Sequence, residues 1–196
     1  MIAIILKESF GNMTSLKNLF HKSFRIQTEN IIQMDIANTI YDGPDLIMKP
    51  LTQEDIDQLP TDHFSKVGHH RHGRYLKKYP TLFRGYKFYD ANNNFFIGYC
   101  WIMQKGANDS YFRIRKSDAY INEFYVNDQL RGRGYGPLML LKLGDTLRQE
   151  HMKTITTSVH PANPRAIRCY SKAGFHQVDT LKFLRFLVFS IPYYSV

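Results

Sequence analysis

The sequence predicts a mixed α/β fold built on a sheet that is mostly antiparallel. A run of aromatic and β-branched residues, LFRGYKFYD, is separated by ANNN from a second such run, FFIGYCWIMQ, which is the pattern of a β-hairpin. Downstream of this hairpin, strand-like and helix-like segments alternate. A hairpin inside such an alternation argues against a strict series of βαβ units.

The expected elements follow in chain order. From Asp45 we expect a strand, DLIMKPL, and then a helix, TQEDIDQL, with Thr52 as its N-cap and Asp55 three residues later. The polar, histidine-rich segment DHFSKVGHHRHGRYLKKYP is interpreted as a loop before the hairpin. After the hairpin we expect a strand DAYINEFYVN, a helix PLMLLKLGDTLRQEH, a strand KTITTSVH, a helix NPRAIRCYSKA and one or two closing strands in FHQVDTLKFLRFLVFS.

Residues 1–44 differ from the rest of the chain. MTSLKNLFHKSFR has apolar residues at helical spacing, NIIQMDIANTI is typical of a strand, and DGP closes the segment with a turn signal. We therefore treat residues 1–44 as an N-terminal extension of uncertain order and residues 45–196 as the main domain.

Composition restricts the class of protein. At 196 residues, 43% of them hydrophobic and 14% aromatic, the chain can bury a core of its own. Its net charge of +9 favours an anionic partner, such as nucleic acid, a membrane surface or a polyphosphate cofactor. The N-terminal apolar run is too short for a signal peptide, and Cys100 and Cys169 match no metal or redox spacing. We expect a cytoplasmic protein with free thiols.

The stretch RGRGYG, residues 131–136, lies between a predicted strand and a helix with Pro137 in its first turn. Glycines at 132, 134 and 136 would let the backbone approach an anion, which the unpaired N–H groups of the helix could bind. Taken alone, the stretch is equally consistent with a basic loop. It lacks the Lys-Ser or Lys-Thr of a P-loop, and its spacing is not the G-x-G-x-x-G of dinucleotide-binding folds.

Two stretches together resemble a known family. RGRGYG fits the R-x-x-G-x-G/A signature of the GNAT superfamily of acyl-CoA-dependent N-acetyltransferases. VHPANPRAIRCYSKAGF resembles the family's second signature, in which Asn163 is followed seven residues later by Tyr170 and then by a Gly-Phe pair. The resemblance covers residues 119–175, and IMKPLTQEDIDQL is similar to the family's first strand and helix. It implies, for residues 45–196, a GNAT fold with splayed strands and flanking helices.

The resemblance also implies a site for acetyl-CoA. Backbone groups of the strand before the glycines would hold the pantetheine and stabilise an oxyanion, and the glycine turn would bind the pyrophosphate. Asn163 would contact the cofactor in addition to capping its helix. The residues predicted to bind the cofactor are Phe124, Tyr125, Val126, Arg131, Gly132, Arg133, Gly134, Tyr135, Gly136 and Asn163. Arg165, Arg168 or Lys172 would either face the adenosine 3′-phosphate or form a solvated helix face.

Three residues are candidates for catalysis. In the family, the tyrosine that matches Tyr170 donates a proton to the departing thiolate, which a phenol with a pKa of about 10 can do; a buried core aromatic is the alternative. Glu123, a carboxylate in an apolar strand, is the favoured base. His160 competes for this role because histidine is a common general base, and water is a third option. The sequence leaves the choice open.

The run His69 to His72 invites a metal interpretation. No cysteine or carboxylate nearby completes a ligand set, and Arg71 would repel a cation, so no metal is predicted. The resemblance implies instead that His69, His70, Arg71 and Arg74 influence the choice of acceptor.

These observations predict an N-acetyltransferase that moves an acetyl group from acetyl-CoA to a primary amine by direct attack in a ternary complex. The acceptor would be a small molecule or a peptide. The alternatives are a non-catalytic, sensory domain that binds CoA and, less favoured, a basic module that binds nucleic acid. Neither a nucleic acid nor a membrane is expected as a partner, and a homodimer is allowed.

Overall fold

A computed structural model describes residues 24–59, 63–104, 118–186 and 189–193 of the chain. The described strands form one eight-stranded sheet, in the order β2-β3-β4-β5-β6-β1-β7-β8. The strands are β1 (Phe24–Asp35), β2 (Leu46–Pro50), β3 (Phe83–Asp90), β4 (Phe96–Gln104), β5 (Ala119–Val126), β6 (Thr154–Val159), β7 (His176–Phe186) and β8 (Phe189–Tyr193). The helices are α1 (His63–Lys78), α2 (Tyr135–Gln149) and α3 (Pro164–Lys172).

Every pair of neighbouring strands is antiparallel except β5 and β6, which run parallel. The predicted hairpin is β3 and β4, and Asn94 in its turn has a φ of 55°. The prediction of a mixed α/β fold with a mostly antiparallel sheet is therefore confirmed.

Strands β5 and β6 separate soon after they meet. Their pairing is confined to Ala119 with Ile155 and Tyr120 with Thr156. Just beyond this point the Thr157 hydroxyl donates to the Ile121 carbonyl over 3.0 Å, so a side chain bridges the gap where backbone pairing stops. The rest of β5 has no strand partner on this side within the described part of the chain, and a cleft opens there.

Part of the N-terminal segment lies inside the sheet. Strand β1 pairs with β6, Asn30 opposite Val159, and with β7 along most of its length. Ile32 and Met34 of β1 are buried, so burial of apolar side chains accompanies this pairing. The helix expected over residues 13–25 falls outside the described residues except for its last two positions, which begin β1. A domain boundary at residue 44 stays a prediction.

The prediction of a helix in TQEDIDQL is wrong, because only a single 3-10 turn forms there, Ile56–Gln58. The N-cap of this turn is Asp55 and not Thr52, and the Asp55 carboxylate accepts hydrogen bonds from the N–H and the hydroxyl of Thr52, at 2.8 and 2.9 Å. Leu59 is already extended, which the following proline favours.

The interpretation of the histidine-rich segment as a loop is also wrong, because it forms helix α1. His72, Tyr75 and Leu76 are spaced three and four residues apart and form its inner stripe. His72 is buried, whereas Arg71 and Arg74 are exposed. The structure does not describe the side chains of His69 and His70.

Side chains pack on both faces of the sheet. One cluster contains Cys100 and Ile102 of β4 together with Leu143 of α2. The other cluster is rich in aromatic rings and contains Tyr99 and Trp101 of the same strand. Strand β4 is thus buried on both faces, and β5 beside it borders two different environments.

Candidate active site

The cleft beside the end of β5, beyond its short pairing with β6, has a volume of about 780 Å³. Its walls come from the end of β5, the glycine turn, the first turn of α2 and one side of α3. The described residues that line it are Phe124, Val126, Leu130, Arg131, Gly132, Gly134, Gly136, Pro137, Asn163, Arg165, Ala166, Arg168, Cys169, Tyr170 and Lys172. Two stretches distant in sequence therefore meet in one cleft.

Two glycines of the turn are required by backbone conformation. Gly132 and Gly134 have φ angles of 81° and 90°, in the left-handed region that other residues rarely adopt. An added Cβ would have no atom within 4 Å at either position, so the turn is open on its outer side. Gly134 is the N-cap of α2, and the first-turn N–H groups of that helix begin at the cleft. Such a position suits an anion.

Gly136 has a different role from these two glycines. It lies inside α2, and a Cβ there would come within 2.6 Å of the Cys169 sulfur on α3. The absence of a side chain therefore lets the first turn of α2 approach α3 at Cys169. This close packing forms one end of the cleft.

Arg131 is held beside the turn by its own neighbours. Its Nε donates to the Val126 carbonyl over 3.1 Å, and Nη2 lies 2.7 Å from Asp128. The guanidinium carbon lies 5.5 Å from the centre of the Tyr125 ring. With 57% of its side chain exposed, Arg131 places a positive charge at the rim of the cleft.

Both ends of α3 carry the predicted caps. The Asn163 side chain accepts a hydrogen bond from the Ala166 N–H over 3.1 Å, and the same residue lines the cleft. At the other end, Gly174 has a φ of 97°, and the Phe175 N–H donates to the Tyr170 carbonyl. The expected capping by Asn163 and the expected helix stop at Gly174 are confirmed.

Tyr170 is the buried residue of α3, with 8% of its surface exposed, and it also lines the cleft. Its ring lies 6.0 Å from that of Phe124 and 5.2 Å from that of Phe175. Burial raises the pKa of the phenol, although a hydrogen bond with the side chain of Thr157 opposes this shift. The phenol therefore stays protonated at neutral pH.

A bulge changes the direction of β5 on its opposite face. Trp101 of β4 pairs with Glu123 and Ile102 pairs with Ile121, which leaves Asn122 as an extra residue. Because of the bulge, Asn122 and Glu123 both reach α1 although they are consecutive. Asn122 Nδ2 lies 2.7 Å from His72 Nε2, and Glu123 Oε2 lies 3.3 Å from His72 Nδ1.

The Glu123 carboxylate has a further partner in β4. The hydroxyl of Tyr99 donates to Glu123 Oε1 over 2.6 Å. The Glu123 side chain is 24% exposed, whereas that of His72 is only 2% exposed. A partly accessible carboxylate is thus held from behind by buried polar groups.

No sequence prediction singled out His72 as a neighbour of Glu123. It was grouped with a loop of adjacent histidines, although its spacing to Tyr75 and Leu76 is that of a buried helical stripe. That spacing was the available signal. The bulge that brings Asn122 and Glu123 to His72 has no comparable signal in the sequence.

Some of the predicted site residues lie away from the cleft lining. Tyr125 points to the other face of β5, where its ring stacks 5.1 Å from that of Tyr99. Arg133 and Tyr135 line a smaller cleft of about 300 Å³ near the β3–β4 turn. His160 is exposed, and its Nδ1 accepts a hydrogen bond from the Ala162 N–H over 3.1 Å. The functional roles assigned to these residues stay predictions.

No group of three or more His, Cys, Asp or Glu side chains in the part of the chain that the structure describes is placed to hold a metal ion. No helix in the same part is long and apolar enough to cross a membrane.

The splayed parallel pair, flanking helices and glycine turn at the start of α2 define an α/β fold of the acetyltransferase type. A sequence model of the Acetyltransferase (GNAT) family matches residues 53–175, which is more than half of the chain. The chain therefore belongs to the GNAT family, as the two sequence signatures indicated. None of the curated protein sequences compared with it gives a match.

Solved structures agree with this assignment at the level of the fold. A GNAT-family acetyltransferase from Colwellia psychrerythraea is 12% identical, with a TM-score of 0.55 over 88% of this chain and 62% of its own. A tandem GNAT protein from the clavulanic acid biosynthesis pathway is 16% identical, with a TM-score of 0.56 over 89% and 58%. A Drosophila protein is 13% identical, with a TM-score of 0.56 over 88% and 56%. The chain thus spans little more than half the length of these proteins.

Proposed function

We propose that the protein is an acetyl-CoA-dependent N-acetyltransferase that acetylates a primary amine by direct attack in a ternary complex. The observation that carries this proposal is the cleft, in which the glycine turn and Tyr170 line a single space of about 780 Å³. One end of that space suits a phosphate group, and the other holds a protonated phenol.

The charges around the cleft support a polyanionic ligand. Arg131, Arg165, Arg168 and Lys172 are among its described lining residues, and no carboxylate occurs in the same set. Gly132 and Gly134 leave the outer side of the turn open to a diphosphate. Phe124 and Val126 border the cleft along the part of β5 that no longer pairs with β6, which suits the amide-containing arm of the cofactor.

When bound, acetyl-CoA supplies a thioester whose carbonyl carbon accepts the amine and whose sulfur leaves. Tyr170 lines the same cleft and donates the proton of its hydroxyl to that sulfur. The raised pKa of Tyr170 keeps the donor protonated throughout the neutral range, and it also makes the phenol a weaker acid than free tyrosine. Catalysis therefore relies on proximity as well as on acid strength.

Glu123 is the proposed base. It takes the proton that the amine loses as the C–N bond forms, and its carboxylate is fixed by the Tyr99 hydroxyl at 2.6 Å and by His72 at 3.3 Å. His160 is less well supported, because it is exposed and its Nδ1 already accepts the Ala162 N–H. Proton exchange with water restores Glu123 and Tyr170 after each turnover, so no other reactant is needed.

Thermal unfolding with acetyl-CoA tests the cofactor. A ligand at about 100 times its dissociation constant adds roughly 2.7 kcal/mol to the free energy of unfolding, which raises the melting temperature by several degrees. The absence of a shift at millimolar acetyl-CoA would sink this proposal. A shift without release of free thiol for any amine in a broad panel would favour the non-catalytic, sensory alternative.

Replacing Tyr170 by Phe tests the acid. We expect kcat to fall about 100-fold or more, because loss of a positioned proton donor has costs of this size, while the acetyl-CoA shift is retained. Tyr89→Phe, which removes a hydroxyl from β3 outside the cleft lining, is the matched control and should leave kcat unchanged. Equal turnover of Tyr170→Phe and the wild type would remove Tyr170 from the mechanism.

A further inference from the structure

A group of polar side chains packs behind the Glu123 carboxylate. It consists of His72, Tyr99 and Asn122, and we call it the support cluster. Tyr99 is 1% exposed and His72 is 2% exposed, so both are removed from solvent. Burying polar groups of this kind costs free energy unless they find partners, and here they face each other and one carboxylate.

The two oxygens of Glu123 are held by two different elements. Oε1 accepts from the Tyr99 hydroxyl of β4 at 2.6 Å, and Oε2 lies 3.3 Å from His72 Nδ1 of α1. Contacts on both oxygens fix the rotation of the carboxylate, which a single contact would leave free. A fixed carboxylate presents its remaining lone pairs in one direction.

The neighbouring amide assigns the hydrogen on the imidazole. Asn122 Nδ2 is a donor and lies 2.7 Å from His72 Nε2, so Nε2 is the accepting nitrogen. The ring hydrogen of a neutral His72 is then on Nδ1, which faces Glu123 Oε2. The β5 bulge lets Asn122 contact Nε2 and select the tautomer while Glu123 lies beside Nδ1.

The imidazole ring is locked by its aromatic neighbours. Its centre lies 5.4 Å from that of Phe83 and 5.1 Å from that of Trp101, and these two rings stack 5.3 Å apart. The ring therefore has little freedom to swing towards solvent and away from Glu123. A histidine in this setting suits the orientation of another group better than the exchange of protons with water.

We propose that His72 is a positioning residue for Glu123: with Nδ1 held 3.3 Å from Oε2, its ring keeps the carboxylate directed at the reacting amine. This inference rests on the proposed function, in which Glu123 is the base. His72 itself exchanges no proton during turnover, and Tyr99 and Asn122 assist it by fixing the other oxygen and the tautomer. The proposal also gives helix α1 a role in the placement of the base.

Two substitutions of similar size separate positioning from packing. His72→Asn can retain an N–H donor close to the position of Nδ1, whereas His72→Leu retains bulk but has no donor. We expect His72→Leu to lower kcat about 10-fold or more, with the KM for acetyl-CoA unchanged, and His72→Asn to recover most of that loss. A purely structural role predicts equal losses for the two variants and would overturn the proposal.

A double-mutant cycle with Glu123 gives a second test, which does not depend on the folding of a single variant. In the Glu123→Gln background, His72→Leu should cause no further loss of kcat, because there is no carboxylate left to position. Additive losses would contradict the proposal. If His72→Leu fails to fold, Tyr99→Phe serves instead, since it removes only the hydroxyl on Oε1; it should lower kcat in the wild type and not in Glu123→Gln.

The acetyl-CoA melting shift separates this inference from the proposed function. A wild-type protein that shifts with acetyl-CoA but releases no thiol with any amine contradicts both. Full turnover in a folded His72→Leu variant that still shifts with acetyl-CoA contradicts only the role of His72.

Discussion

Strand β5 separates two regions that are built in opposite ways. On one side, the cleft face, Phe124 and Val126 border an open space of about 780 Å³. On the other side, the aromatic face, Glu123 and Tyr125 lie against Tyr99, Trp101 and the buried ring of His72. The first region is kept open by parting strands and by residues without side chains, and the second is filled.

This difference indicates a division of labour. An open, basic cleft suits the binding of a ligand, whereas a packed polar group suits the fixed placement of one reacting carboxylate. Substitutions on the cleft face should therefore change ligand affinity with small effects on folding. Substitutions on the aromatic face should change stability or turnover and leave affinity for acetyl-CoA intact.

The largest expected effect is on stability and compares one phenylalanine from each region. Phe83 is 0% exposed and packs on Trp101 and His72, so Phe83→Ala should lower the free energy of unfolding by about 3–5 kcal/mol. Phe124 is only half-buried, and Phe124→Ala should cost less than half as much while weakening binding of acetyl-CoA. Urea unfolding and melting shifts measure the two effects. Equal destabilisation by both variants would contradict the division.

The rates at which the two cysteines are alkylated test how accessible the cleft face is. Burial raises the pKa of Cys169 to about 11, with Lys172 opposing the shift, and burial also raises the pKa of Cys100. Because the thiolate is the reactive form, only about one Cys169 in a thousand is reactive at pH 8. Alkylation of Cys169 should accelerate roughly tenfold per pH unit up to about pH 11.

Acetyl-CoA should slow this alkylation, because Cys169 lines the cleft. Cys100 is fully buried in β4 and serves as the internal control, since it should stay unmodified in the folded protein. Mass spectrometry of peptides distinguishes the two sites. Alkylation of Cys169 at the same rate with and without a saturating cofactor would show that the ligand binds elsewhere.

Features set by short stretches of backbone could be predicted from the sequence. The hairpin turn, the Asn163 cap and the glycine stop at Gly174 each depend on residues within one turn of chain, and all three are present. The glycine turn belongs to the same class. Gly132 and Gly134 adopt the left-handed conformation that such a turn requires.

Features that depend on contacts between distant residues could not be predicted from the sequence. Asn122 and His72 are 50 residues apart, and they meet because a bulge in β5 and the inner stripe of α1 coincide. Strand β1 lies between β6 and β7 through pairing across more than a hundred residues, which no local pattern specifies. The turn at Ile56–Gln58 replaced a predicted helix because the contacts of Asp55 outweighed helix propensity.

The smallest expected effect distinguishes two glycines of the cleft face that a motif treats alike. Gly136→Ala places a methyl group against the Cys169 sulfur, and we expect a loss of about 1–3 kcal/mol in the free energy of unfolding from overpacking between α2 and α3. Gly134→Ala meets no atom within 4 Å, and its cost of roughly 1–2 kcal/mol comes from the left-handed backbone alone. Similar losses thus have different causes.

A second substitution separates these causes. Cys169→Ala removes the sulfur that Gly136→Ala would strike, so the double variant should be more stable than the sum of the single losses predicts. The same Cys169→Ala change should add independently to Gly134→Ala, whose strain lies in its own φ angle of 90°. Coupling energies from urea unfolding of the two cycles give the answer. Equal coupling in both would mean that Gly136 is not required for the approach of α2 to α3.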